Sequence, residues 1–122
     1  MRILAYGTID YVTSSPNDDG LITLLKVLSK SVRRGDTLHT YTDPASAMLL
    51  HQWATAAGVN LCIEPEAPPS KKEFAAMVDQ ALASGIEFVI VFSGDKMAKV
   101  VQRRALEAAV PILIIGPWRS VR

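Results

Sequence analysis

Short apolar runs alternate with amphipathic stretches five times along the chain, with no linker or low-complexity segment between them. This alternation predicts strands interleaved with helices, the pattern of an α/β domain. Residues 2–6 form an apolar run closed by Gly7. Beyond a polar loop from Asp10 to Gly20, the residues Leu21, Leu24, Leu25, Leu28 and Val32 recur at helical spacing. Gly35 stands where a helix ends well in left-handed backbone. Residues 36–42 alternate, Leu38, Thr40 and Thr42 on one face against Thr37, His39 and Tyr41 on the other, and predict a second strand. Asp43 then offers an N-cap and Pro44 a first helical residue. The helix that follows is expected to bury the stripe Ala45, Met48, Leu49, Gln52, Trp53 and Ala56, and Gly58 closes it.

A third strand is expected over 59–63. After a proline-rich turn, Ser70-Lys71-Lys72-Glu73 has the capping-box spacing and opens a helix with the apolar face Phe74, Met77, Val78, Ala81 and Leu82, ended by Gly85. Residues 88–92 are continuously apolar, as strands buried on both faces are, and 111–115 repeat that signature after one more helix at about 97–109. The last two strands are therefore expected to form the core of a parallel sheet.

Composition narrows the class further. The 122 residues suit one domain, read here as spanning 1–122, and are enough for a substantial core. With 49% hydrophobic and 20% charged residues the chain falls among globular proteins rather than disordered or collagen-like ones. The 13 basic and 12 acidic side chains nearly cancel, which predicts no general affinity for nucleic acid or acidic membranes. One cysteine, Cys62, permits no internal disulfide and no cysteine-rich metal site, and a reducing cytoplasm fits. The apolar runs are far short of a membrane span, and neither a signal peptide, a bound cofactor nor a metal is expected.

In an open parallel sheet, ligands bind outside the carboxyl ends of the strands, where the strand order reverses. Two strands here run into glycine loops, the first into Gly7-Thr8-Ile9-Asp10 and the fourth into Ser93-Gly94-Asp95-Lys96. If these strands are neighbours at the reversal, both loops face one crevice, and the free N–H groups of the following helix suit a phosphate. The candidate ligand-binding residues are Gly7, Thr8, Asp10, Ser93, Gly94, Asp95 and Lys96. Asp95 would cap the helix yet repel an anion, and Lys96 and Lys99 supply compensating charge. A purely structural role for both glycine loops is the alternative.

These segments resemble the SLOG superfamily, a Rossmann-like group that includes the cytokinin-activating LOG phosphoribohydrolases and small bacterial and phage proteins. Gly7-Thr8-Ile9-Asp10-Tyr11 looks like the family's opening Gly-Ser-Arg followed by Asp and an aromatic residue. The stretch from His39 through Trp53-Ala54 to Gly58 resembles its second strand and helix, and Phe74 to Val78 the helix before its fourth strand. Phe92-Ser93-Gly94-Asp95-Lys96, Arg103-Arg104-Ala105, Glu107-Ala108 and Val110-Pro111 follow the spacing of its Pro-Gly-Gly-x-Gly-Thr loop, helix and last strand. The resemblance implies a three-layer Rossmann-like domain with a five-stranded parallel sheet in the order 3-2-1-4-5; the flavodoxin-like order 2-1-3-4-5 is the alternative. Asp95, Met97 and Ala98 replace the family's Gly, Gly and Thr, Ile9 replaces its Arg, and Val101 occupies the position of the catalytic Glu of LOG enzymes. Replacing that Arg removes a bidentate grip on phosphate, and a β-carbon at Met97 hinders close backbone approach.

The remaining candidates have simpler readings. His39 and His51 fall on a strand and a helix without a triad pattern and read as packed or surface residues. Asp10, Asp18 and Asp19 match no EF-hand spacing and read as a solvated loop, or a lid over the crevice. Trp53 reads as core or interface, and Trp118 as packing or a subunit contact ahead of ligand stacking. The doublets Lys71-Lys72 and Arg103-Arg104 read as solvated helix faces, and Cys62 as a small buried hydrophobe. The expected function is a small cytoplasmic nucleotide-binding protein that senses or sequesters a nucleotide-derived signal such as ADP-ribose or an NAD-related molecule, and the resemblance implies a homodimer. The alternatives are a protein-interaction module on a decayed nucleotide fold, with a host protein as partner if the chain is phage-encoded, and a LOG-like N-glycosidic hydrolase.

Overall fold

A computed structural model of the chain describes residues 1–7, 19–41, 44–64, 70–92 and 96–115. Among these residues five strands, β1 (Arg2–Tyr6), β2 (Thr37–Tyr41), β3 (Asn60–Glu64), β4 (Phe88–Phe92) and β5 (Ile112–Ile115), alternate with four helices, α1 (Asp19–Ser31), α2 (Pro44–Ala57), α3 (Lys71–Ala83) and α4 (Lys96–Glu107). All neighbouring strands pair in parallel, in the order β3-β2-β1-β4-β5. The expected Rossmann-like order is therefore the observed one, and the flavodoxin-like alternative falls.

Period-two alternation divides the central strands between two cores. Ile3 and Ala5 of β1 with Ile90 and Phe92 of β4 face one side, where Leu24 and Leu28 of α1 and Leu50 and Ala54 of α2 cover them. Leu4, Tyr6, Val89 and Val91 face the other, beneath Phe74, Val78 and Leu82 of α3 and Val101 and Ala105 of α4. Each fully buried Leu, Ile, Val or Phe here contributes about 1.5–3 kcal/mol relative to leaving it exposed. Helix ends obey local chemistry. The Glu73 N–H donates to Ser70 Oγ at 3.4 Å, as the capping box predicts. Past α4, Val110 N–H reaches Ala105 O at 2.9 Å and Ala109 N–H reaches Leu106 O at 3.1 Å, with Ala109 at φ +56°. This is the paired closure of a Schellman motif, with alanine in the place that suits glycine, and it ends the helix earlier than the expected residue 109.

Three further expectations are corrected. Helix α2 buries Leu50 and Ala54 and half-buries Trp53, whereas Met48 and Leu49, expected on the inner stripe, are 65% and 40% exposed and Gln52 and Ala56 are also outward. The helix carries no charged residue to mark its solvent side, so two apolar stripes compete and the chain buries the one about 100° around the axis. Trp53 remains an inner residue, its Nε1–H donating to Ser29 Oγ of α1 at 3.0 Å. Strand β5 is an edge, not a core strand: it pairs only with β4, and Ile114 is 51% exposed. Cys62 is exposed on the other edge strand, β3, because the α3–α4 layer centres on β1 and β4 and leaves it uncovered.

At the amino edge of the sheet, Asp36 accepts the Arg33 N–H at 2.9 Å and lies 3.0 Å from the Met1 ammonium. The Arg33 hydrogen bond first, and then the ammonium, hold its carboxyl below the ordinary range.

Candidate functional site

The reversal of strand order lies between β1 and β4, which pair from Ile3↔Phe88 to Tyr6↔Val91. Strands β2 and β3 extend away on one side and β5 on the other, so the carboxyl ends of β1 and β4 open side by side. That is the place where an α/β sheet leaves a crevice for a ligand. The condition set by the sequence, that the two glycine-loop strands be neighbours at the reversal, is met.

Gly7 is the first residue past β1. Its φ is +89°, a backbone state that side chains disfavour, and a Cβ built there would collide with the carbonyl oxygen of Phe92 at the end of β4. Glycine is thus required on two counts, by its own dihedral and by the approach of the neighbouring strand. The packing role open to this loop from the sequence holds at Gly7 itself. At the ends of β1 and β4 the Tyr6 ring, 8% exposed, meets Phe74 of α3 with ring centroids 5.2 Å apart and planes inclined by 50°, while Phe92 is buried on the opposite face. The floor is therefore apolar and held from both layers.

Lys96 is the first residue of α4, which starts four positions after the end of β4. The helix start brings partial positive charge toward the carboxyl edge of the sheet. Thr8, Asp10, Ser93, Gly94 and Asp95 lie outside the described residues, as do Trp118 and Asp18. Of the positions that depart from the LOG pattern, Ala98 and Val101 are each 1% exposed and packed in the α3–α4 core, and Met97 packs against the same cluster. Val101 thus serves packing and offers no group to chemistry.

Two features are absent from the sequence-based expectations. The doublets Lys71-Lys72 and Arg103-Arg104, about thirty positions apart and each expected as a solvated face, rim one cavity between α3 and α4. The other is a cavity of about 270 Å³ lined by Arg2, His39, Met77 and Ser84 among others, where Arg2 Nη1 donates to Ser84 O at 2.6 Å and Arg2 Nη2 lies 3.3 Å from His39 Nε2. His39 is half-buried there, in keeping with a packed histidine. Neither was legible, because only the pairing of β1 with β2 and of α3 with α4 brings these residues together. Among the described residues no three His, Cys, Asp or Glu side chains gather as a metal site would require, and no helix is long and apolar enough to cross a membrane.

No family model matches the chain, and no curated protein matches it significantly. Among solved structures, the C-terminal domain of a hydrogenase from Pyrococcus furiosus superposes with a TM-score of 0.56 at 16% identity, over 93% of this chain and 89% of that one. Likeness at that level shows a shared α/β fold. Fold alone assigns no activity, because such folds host many unrelated ones.

Proposed function

We propose that the chain is a small nucleotide-binding protein of the SLOG kind, which holds a nucleotide-derived molecule, of the ADP-ribose or NAD-related class, in the crevice between β1 and β4. The observation that carries this reading is the adjacency of β1 and β4 at the reversal of strand order, with Gly7 pressed against Phe92 and α4 opening at Lys96. In this reading Gly7, Thr8 and Asp10 from one loop and Ser93, Gly94, Asp95 and Lys96 from the other contact the ligand. The helix start and Lys96 receive its phosphates. The sugar and base lie over the apolar ends of the strands. Val101, packed in the core, weighs against a LOG-like hydrolase and in favour of binding without turnover.

A thermal-shift panel of AMP, ADP-ribose, NAD and cyclic dinucleotides tests it, with Gly94→Trp as the blocked control. A ligand at about 100 times its dissociation constant stabilises by roughly 2.7 kcal/mol, a shift of several degrees. A shift in the native protein that vanishes in the control supports the reading; no shift across the panel in a folded protein counts against it. Release of free base or ribose phosphate from AMP would instead establish the hydrolase.

A second reading, a protein-interaction module or homodimer, draws on one observation. Helix α2 is uncharged throughout and turns Met48 and Leu49 outward. Light scattering coupled to size exclusion tests it: a monomer that captures no partner at α2 excludes this reading.

A further inference from the structure

Helices α3 and α4 enclose a cavity of about 350 Å³ lined by Lys71, Lys72, Ala75, Val100, Arg103 and Arg104. Among the described residues four cations and no acid line it, although the chain as a whole carries a net charge of only +1. Arg104 is neutralised in part by Asp79 at 3.5 Å and Glu107 at 3.6 Å, which pin its guanidinium at one end. Among the described residues no carboxylate lies within ion-pairing distance of Lys71, Lys72 or Arg103. The position of the lysines is also unfavourable for the helix. They are the first two residues of α3, where the macrodipole already places positive charge and where acidic side chains stabilise. Glu73 is the acid of that turn, and the two lysines still set positive charge at the helix start beside the groove. Between the charged rims the floor is aliphatic, with Ala75 and Val100 each 8% exposed.

We propose that this groove docks an acidic peptide segment of a partner protein, seating an aliphatic side chain on Ala75 and Val100 while flanking carboxylates pair with Lys71, Lys72 and Arg103. The mixed surface favours a peptide over nucleic acid. A phosphate backbone has nothing to place on an aliphatic floor, and among the described residues no aromatic side chain lines the groove to stack a base. Arg103 supplies a planar fork for one carboxylate, and the lysines supply mobile point charges for others. None of the described residues that line the groove is among those named for the β1–β4 strand ends, and the proposal stands whether or not a nucleotide binds there.

Fluorescence anisotropy with a labelled synthetic peptide alternating aspartate and leucine tests the proposal. The native protein should bind it, with affinity falling as salt rises to about 0.15 M, where charges are screened beyond ~8 Å. Lys71→Glu combined with Lys72→Glu should weaken binding at least about tenfold, and Arg103→Glu likewise. All three sites are exposed, and glutamate suits the start of α3, so these variants fold; an unchanged circular-dichroism melt verifies it. Lys26→Glu and Lys30→Glu, on exposed positions of α1 in the opposite layer, should leave binding unchanged. Replacing the peptide's leucines by glycine should weaken it several-fold. The proposal is overturned if the peptide does not bind, if the groove and α1 variants lose affinity equally, if the glycine peptide binds as well as the leucine one, or if an oligonucleotide of equal charge competes as strongly as the peptide.

Discussion

Gly7 and Thr40 show how single residues are constrained near the carboxyl edge of the sheet. Gly7 combines a φ of +89° with a strand wall, Phe92, where its side chain would have to go, whereas Gly35, also at +89°, has open space within 4 Å of where a methyl group would stand. Ala at Gly35 should therefore cost only the dihedral penalty, about 1–2 kcal/mol. Ala at Gly7 should cost about 2–4 kcal/mol, because the β1–β4 edge must also part. Urea unfolding of the two variants checks the ordering, and equal losses would mean that the Phe92 approach carries no weight. Thr40 is 1% exposed and its hydroxyl has no hydrogen-bond partner among the described residues. A buried hydroxyl without a partner opposes folding, so Thr40→Val, nearly the same shape, should raise stability by about 1 kcal/mol. A clear loss in the same unfolding measurement would show that the hydroxyl has a use. The sequence places Gly7 at a strand end and Thr40 on the face of Leu38, but neither the collision with Phe92 nor the orphaned hydroxyl is visible before β1 meets its neighbours.

Among the elements, those with strong local signals were the legible ones. Ser70 and Glu73 announce the start of α3, and Phe74, Val78 and Leu82 its buried face, because capping and periodicity act within a few residues. Helix α2 departs from expectation in its rotation because it lacks charge, and the choice between stripes is made by β2, β3 and α1. Strand β5 departs from it because an apolar run gives composition and not position in the sheet. The end of α4 offers a test at this scale. Ala109 holds φ +56° in the Schellman closure and is exposed, so nothing but its own Cβ resists the turn. Ala109→Gly should stabilise by about 1 kcal/mol and raise Tm by about 3–5 °C in calorimetry. A lower Tm would contradict this account of the helix end.

Across the whole molecule, the order β3-β2-β1-β4-β5 sets the ends of β1 and β4, far apart in the chain, side by side on one edge. The fold class was legible because alternation and right-handed crossover leave few arrangements for five parallel strands. The candidate site was legible only in outline. Its two strands could be named from Gly7 and Gly94, but the adjacency that unites them is a property of the sheet. The same holds for the cationic groove, whose two doublets meet only when α3 packs on α4. The molecule thus sets the carboxyl ends of β1 and β4 side by side and carries a charged groove on one helical layer, positioned by a common core. Backbone amide chemical-shift mapping with ADP-ribose tests the central claim most directly. The account predicts shifts concentrated at Gly7, Phe92 and the first turn of α4 from Lys96, with α2 unmoved. Saturating ligand with no shifts at the β1–β4 edge, or with shifts confined to α2 or the groove, would contradict it.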